Sequence, residues 1–161
     1  MKSILALASA IFMAACSAHV ATTTQPAPTP PTLSRDQAQQ LMLRADDLRR
    51  QAFEFPGTAL PNAFAGSALK ILEEQSQNLG RRGLREDERN VSRELVSWDS
   101  ISAEGVLQVA AERRLVSPDQ LSPPWSATVR QWWVRLQFVN GSWKVVDQED
   151  LPPDQWRSVM T

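Results

Sequence analysis

From Val91 onward apolar residues recur at every second position, whereas before it they recur every third or fourth. This change of period constrains the fold more than any other feature, because strands and helices alternate faces at 2.0 and 3.6 residues respectively. The spacing predicts four strands, over 91–101, 105–116, 126–139 and 142–147. Leu107, Val109, Ala111 and Leu115 share one face of the second, and Trp132, Val134, Leu136 and Phe138 share one face of the third. Arg130 lies at the start of the third strand, while Arg135 and Gln137 point the other way. Asn140-Gly141 between the last two runs is the dipeptide that best suits a tight two-residue hairpin. Pro152-Pro153 stops the last strand, and Trp156 is placed to fold back on the body.

Two helices precede the strands. Ser34-Arg35-Asp36-Gln37 has the form of a capping box. Leu41, Ala45, Leu48, Ala52 and Phe55 then follow at helical spacing, with Arg44, Asp46, Asp47, Arg49 and Arg50 on the remainder, and Pro56-Gly57 ends the run. A second helix is expected from about 62 to 79 through Phe64, Ala68, Ile71, Leu72 and Leu79, with Gly80 past its end. Gly66 inside it is a poor helix former and points to close packing. Arg81, Arg82, Arg85 and Arg89 are interleaved with Glu86, Asp87 and Glu88, so the stretch reads as a solvated loop whose field largely cancels. Two helices followed by four antiparallel strands define an α+β domain with its helices on one face of a sheet.

The first 33 residues read differently. Lys2, an apolar run over 4–15 and the small residues Ala14 and Ala15 form a secretory signal ahead of Cys16. Met13-Ala14-Ala15-Cys16 resembles the bacterial lipobox, which implies cleavage before Cys16 and a diacylglyceryl group on its thiol. The apolar run is too short to cross a hydrocarbon core of about 30 Å. Ser17, rather than Asp, follows the cysteine. The resulting expectation is an exported, lipid-anchored protein, on the outer membrane facing the periplasm in a Gram-negative host and otherwise on the outer face of the cell membrane. Residues 16–33 form a Pro/Thr-rich tether with little to bury. The domain organisation is thus 1–15 signal, 16–33 lipidated cysteine and tether, and 34–161 one α+β domain.

Composition narrows the chemistry. The 17 basic side chains, less Lys2, leave 16 against 18 acidic ones in the processed chain, and this balance offers no attraction to nucleic acid. His19 lies in the tether, so the folded part has no histidine, and it has no cysteine or tyrosine either. That leaves no His base, Cys nucleophile or thiolate zinc site. No metal or other cofactor is expected.

The order of elements, with Ala110-Ala111-Glu112, Trp132-Trp133-Val134-Arg135-Leu136 and Gly141-Ser142-Trp143-Lys144-Val145 on successive strands, resembles the nuclear transport factor 2-like superfamily. Within it, together with Leu69 and Leu79 before Gly83, it is most similar to the intermembrane-space domain of chloroplast-division proteins and bacterial relatives. The resemblance spans about 59–147. It implies a strongly curved, cone-like four-stranded sheet wrapping the helices around a cavity, and its motifs are structural rather than catalytic.

The residues then offer two functional readings. In the first, the domain is a non-catalytic binding or scaffold module, whose partner is an envelope protein or a small apolar ligand. Its surface is formed by Trp125, Trp133, Arg135 and Trp156, since aromatic and Arg side chains anchor interfaces. In the second, it is a cavity hydrolase or isomerase with a strand carboxylate as base on a small apolar substrate, the candidates being Glu112, Asp99 and Glu94. Glu112 alternates out of phase with the apolar face of its strand. It is therefore expected to pair with Arg114 or Arg135 on the opposite side.

Overall fold

The computed structural model describes residues 31–120 and 122–158; Cys16, His19 and most of the tether lie outside them. Helix α1 (Arg35–Glu54) and helix α2 (Gly66–Arg81) are followed by strands β1 (Arg85–Asp99), β2 (Glu104–Val116), β3 (Ser126–Val139) and β4 (Ser142–Leu151), then a short 3₁₀ turn, Pro153–Gln155. The strands form one antiparallel sheet in the order β1-β2-β3-β4. The chain is an α+β fold with two helices on one face of a four-stranded sheet.

Local sequence accounts for the boundaries. At α1 the capping box forms in both directions: Ser34 Oγ accepts from the Gln37 amide, and Gln37 Oε1 accepts from the Ser34 amide. Asn140 and Gly141 both take positive φ, 51° and 81°, as a type I′ hairpin requires. Helix α2 starts at Gly66, four residues later than expected. Residues 63–65 instead run along β4, where the Ala65 amide donates to the Val145 carbonyl and the Val145 amide donates to the Ala63 carbonyl. Gly66 sits at φ +57°, and a Cβ there would lie 3.2 Å from the Val146 carbonyl oxygen, so the close packing expected at this glycine is present.

Three sequence expectations need correction. First, β1 begins at Arg85, so the mixed-charge stretch is strand rather than loop, because its acids find arginines across the ladder on β2. Second, β4 extends to Leu151 instead of stopping at 147. Third, the sheet is not strongly curled. Strong bending needs bulges or glycine kinks repeated on neighbouring strands. Here β2 and β3 pair from Glu104–Arg135 to Arg113–Ser126 without a shift. Register shifts fall at Arg89/Ser92 and Leu95/Ser97, with the extra residues on β1, and opposite Arg135/Leu136, where Val146 is the extra residue on β4, so they lie on the two edge strands.

Between the helices and the sheet lies an apolar core that includes Met42, Leu60, Phe64, Leu72, Leu107, Val109, Trp132, Val134 and Val145. It occupies only part of the enclosed face. The rest is charged.

Candidate functional site

The buried stripe of α1 is Ala38, Met42, Ala45, Asp46, Arg49 and Ala52. Phe55, expected on that stripe, is 61% exposed, whereas Asp46, expected in solvent, is completely buried. The helix is rotated from its expected setting because Asp46 has three guanidinium partners beneath it. Its Oδ1 accepts from Arg49 Nη2 (3.3 Å) and Arg130 Nη2 (3.1 Å), and its Oδ2 lies 2.7 Å from Arg93 Nε. Arg93 also reaches Asp47.

A second carboxylate, Glu88 on β1, lies further along the same side of the sheet. Its Oε2 accepts from Arg50 Nε at 2.7 Å, and its Oε1 is 3.0 Å from Arg113 Nε and 3.8 Å from Arg130 Nη2. Arg113 is also paired to Glu86. Burial raises the Glu88 carboxyl above its ordinary value of 4.5, against the opposing pull of Arg113 and Arg49. Burial disfavours the charged Arg113, yet the hydrogen bond and charge of Glu86 carry its guanidinium above its ordinary value. Paired charges of this kind offset each other's desolvation only while every partner is present.

The raised carboxyl has a consequence for stability. The native state holds the Glu88 proton more tightly than the unfolded chain, so that contribution is complete below pH 4.5 and is lost as pH rises through the native value. Glu88→Gln copies the protonated form. The stability of the native protein relative to Glu88→Gln should therefore fall as pH rises from about 4.5, as read from urea midpoints over the mildly acidic range. A difference that does not change with pH would refute this assignment.

At the open end of the charged region lies a groove of two adjoining lobes. One, of about 330 Å³, is lined by Arg49, Phe53, Gln75, Asn78, Leu79, Glu86, Arg113 and Asp150. The other, of about 290 Å³, is lined by Ile71, Leu72, Trp132, Gln148 and Glu149, and it shares Arg49, Gln75 and Asp150 with the first. Arg49 stands over the Trp132 ring with Cζ 5.3 Å from its centroid, and the Trp132 Nε1 donates to Gln148 Oε1 at 2.9 Å. The site thus combines fixed guanidinium groups, side-chain amides and an aromatic wall.

None of the carboxylates singled out from sequence lines this groove. Glu112 faces the other side of the sheet, as its phase required, but its partners are Arg89 (2.6 Å) and Asn90 rather than Arg114 or Arg135. Arg114 pairs with Asp87, and Arg135 with Asp147. Glu94 is exposed on that same outer side. Asp99 closes the β1–β2 turn, where the Ile101 amide and the Ser102 hydroxyl donate to it and hold its carboxyl below its ordinary value.

The four residues expected to form one surface fall into two places. Trp133 and Arg135 occupy successive outward positions on β3. The C-terminal segment with Trp156 crosses the same face, where Arg157 exchanges hydrogen bonds with Gln131 and donates to Ser97. Trp156 is 37% exposed, with its Nε1 donating to the Leu151 carbonyl. Trp125 lies apart, beyond the far end of β3, about 25 Å from Trp133 at the rise of an extended strand. The guanidiniums of Arg89 and Arg114 lie against its ring, 4.3 and 4.4 Å from the centroid. A ring stacked in this way ties β1 to β2.

Sequence reasoning missed Asp46, Arg49, Arg113, Arg130 and Asp150 as site residues. One signal was available: Arg113-Arg114 are adjacent on a strand, so they face opposite sides, and each needs an acid from the charged run of β1. Among the described residues no group of three or more His, Cys, Asp or Glu is placed to hold a metal, and no helix is long and apolar enough to cross a membrane.

This arrangement of elements has a counterpart among solved structures. The chain is similar in fold to the intermembrane space region of the chloroplast protein ARC6. The TM-score is 0.62 at 16% sequence identity, and the match covers 75% of this chain and 98% of the ARC6 region. No protein-family model and no curated protein matches the chain. At that identity the likeness to the ARC6 region concerns the fold alone.

Proposed function

We propose that this chain is a lipid-anchored binding or scaffold protein of a bacterial cell envelope, carrying a nuclear transport factor 2-like domain. The observation that carries the binding reading is the two-lobed groove, open to solvent and lined by guanidinium, amide and aromatic groups held from behind by buried ion pairs. Sites of this kind, concave and with a few fixed polar groups, suit a small ligand, and their volume is at the lower end of the roughly 300–1,000 Å³ typical of ligand pockets. The row of Trp133, Arg135 and Trp156 on the opposite face supports a protein partner. The lipobox-like segment ending at Cys16 supports anchoring. A neighbour in fold that lies in an intermembrane space supports an envelope location.

One preparation tests both halves. The full chain, purified from its native envelope, is weighed intact by native mass spectrometry beside Cys16→Ser. A mass addition consistent with acylation is expected on the native chain and not on the variant, together with a dissociable small molecule or protein partner. Equal addition to both chains overturns the anchor. A native chain that carries neither a small molecule nor a partner overturns the binding role.

A further inference from the structure

The charges behind the groove are not evenly matched by depth. Three guanidiniums converge on the single buried carboxylate of Asp46: those of Arg49, Arg93 and Arg130, whose side chains are 7%, 15% and 10% exposed. Glu88, the other deep carboxylate, is taken up by Arg50 and Arg113 and stands 3.8 Å from Arg130. The remaining positive charge faces Asp150, which is 57% exposed and sits on the wall shared by both lobes.

The contact with Asp150 is loose. Its Oδ1 is 3.5 Å from Arg130 Nη1, and its Oδ2 is 3.9 Å from Arg49 Nη1. Arg130 Nη1 is buried and has no hydrogen-bond partner among the described residues. A buried cationic N–H without an acceptor is costly. Two Nη1 groups spanning the two oxygens of one carboxylate form a cradle for a planar, bidentate acceptor. Asp150 fills that cradle from the solvent side without closing on it.

Resting on the reading of the groove as a binding site, we infer that it takes an organic carboxylate. The ligand's two oxygens replace those of Asp150 on Arg130 and Arg49, and its body lies along Phe53 and Leu79, next to the Arg49 guanidinium that stands over Trp132. Asp150 is the displaceable stand-in for that ligand. The ligand class is therefore a small carboxylic acid with an apolar or aromatic body, rather than the purely apolar molecule expected from sequence.

The test uses the full chain in non-ionic detergent, with ¹H–¹⁵N NMR of the Trp132 indole and Arg49 guanidinium signals. The probes are 3-phenylpropanoate, its neutral amide and inorganic phosphate. The carboxylate should shift both signals saturably and bind at least about tenfold more tightly than the amide. Asp150→Asn, at a largely exposed position, keeps the fold and removes the internal competitor, so affinity for the carboxylate should rise about tenfold. Arg49→Gln, read on the Trp132 indole alone, should abolish its shift. Equal binding of acid and amide in the groove overturns the carboxylate assignment and leaves the binding site standing. Preference for phosphate, or no gain in Asp150→Asn, also overturns it. Silence of the groove signals with every probe overturns both the assignment and the groove as a ligand site.

Discussion

Asp46→Asn is expected to lower the stability of the domain by roughly 3–5 kcal/mol, the usual loss when one member of a buried ion set is removed. The substitution changes almost no volume, so packing is not the cause. It withdraws the only deep negative charge shared by Arg49, Arg93 and Arg130. Three guanidiniums held by α1, β1 and β3 are then left facing one another. Screening by salt is weak for groups this buried, so the loss should persist at high ionic strength, unlike that of an exposed pair. Urea unfolding measures it directly, as a fall in midpoint with the slope preserved. A loss below about 1 kcal/mol would mean that the network behaves as a surface cluster. Replacing Asp46, Arg49, Arg93 and Arg130 together with apolar residues should recover much of the loss, because the carboxylate and the three guanidiniums that converge on it are then removed as a set.

The same residues show why part of this protein was legible in its sequence and part was not. The capping box at Ser34, the Asn140-Gly141 hairpin and the alternation through Trp132, Val134 and Leu136 are local signals. Each is decided by neighbours within a few positions, and the helices, the strand order and the sheet follow from them. Asp46 and Arg49 lie three apart on a helix, a pattern shared by countless solvated pairs. Their burial is decided by Arg130, 84 positions away in the chain, and by Arg93, whose partner Asp47 is 46 positions away. The run over 85–89 has the same difficulty. Its acids alternate between the two sides of β1, Glu86 and Glu88 meeting Arg113 on the helix side and Asp87 meeting Arg114 on the other. Hydropathy cannot see a strand whose alternation is in the side chosen by a charge. The surroundings of Trp125 were hidden for a related reason: only the register of β1 on β2 brings Arg89 and Arg114 together against its ring.

Trp132→Ala should cost about 3–5 kcal/mol, the range for deleting a fully buried large aromatic. The ring is 1% exposed and is the largest fully buried side chain among the described residues. It joins the apolar core to the charged region, since it packs within the hydrophobic cluster and carries Arg49 on its face. Trp132→Phe separates these roles. It keeps most of the buried surface but removes the indole N–H that Gln148 accepts, so it should cost less than half as much as Trp132→Ala while still changing the groove. The expected pattern is a large drop in unfolding midpoint for Ala, a small one for Phe, and weakened groove binding in Phe despite near-native stability. If Phe destabilises as much as Ala, the indole hydrogen bond outweighs the packing. If Phe binds like the native chain, the Trp132 wall is core alone and the groove ends at Arg49.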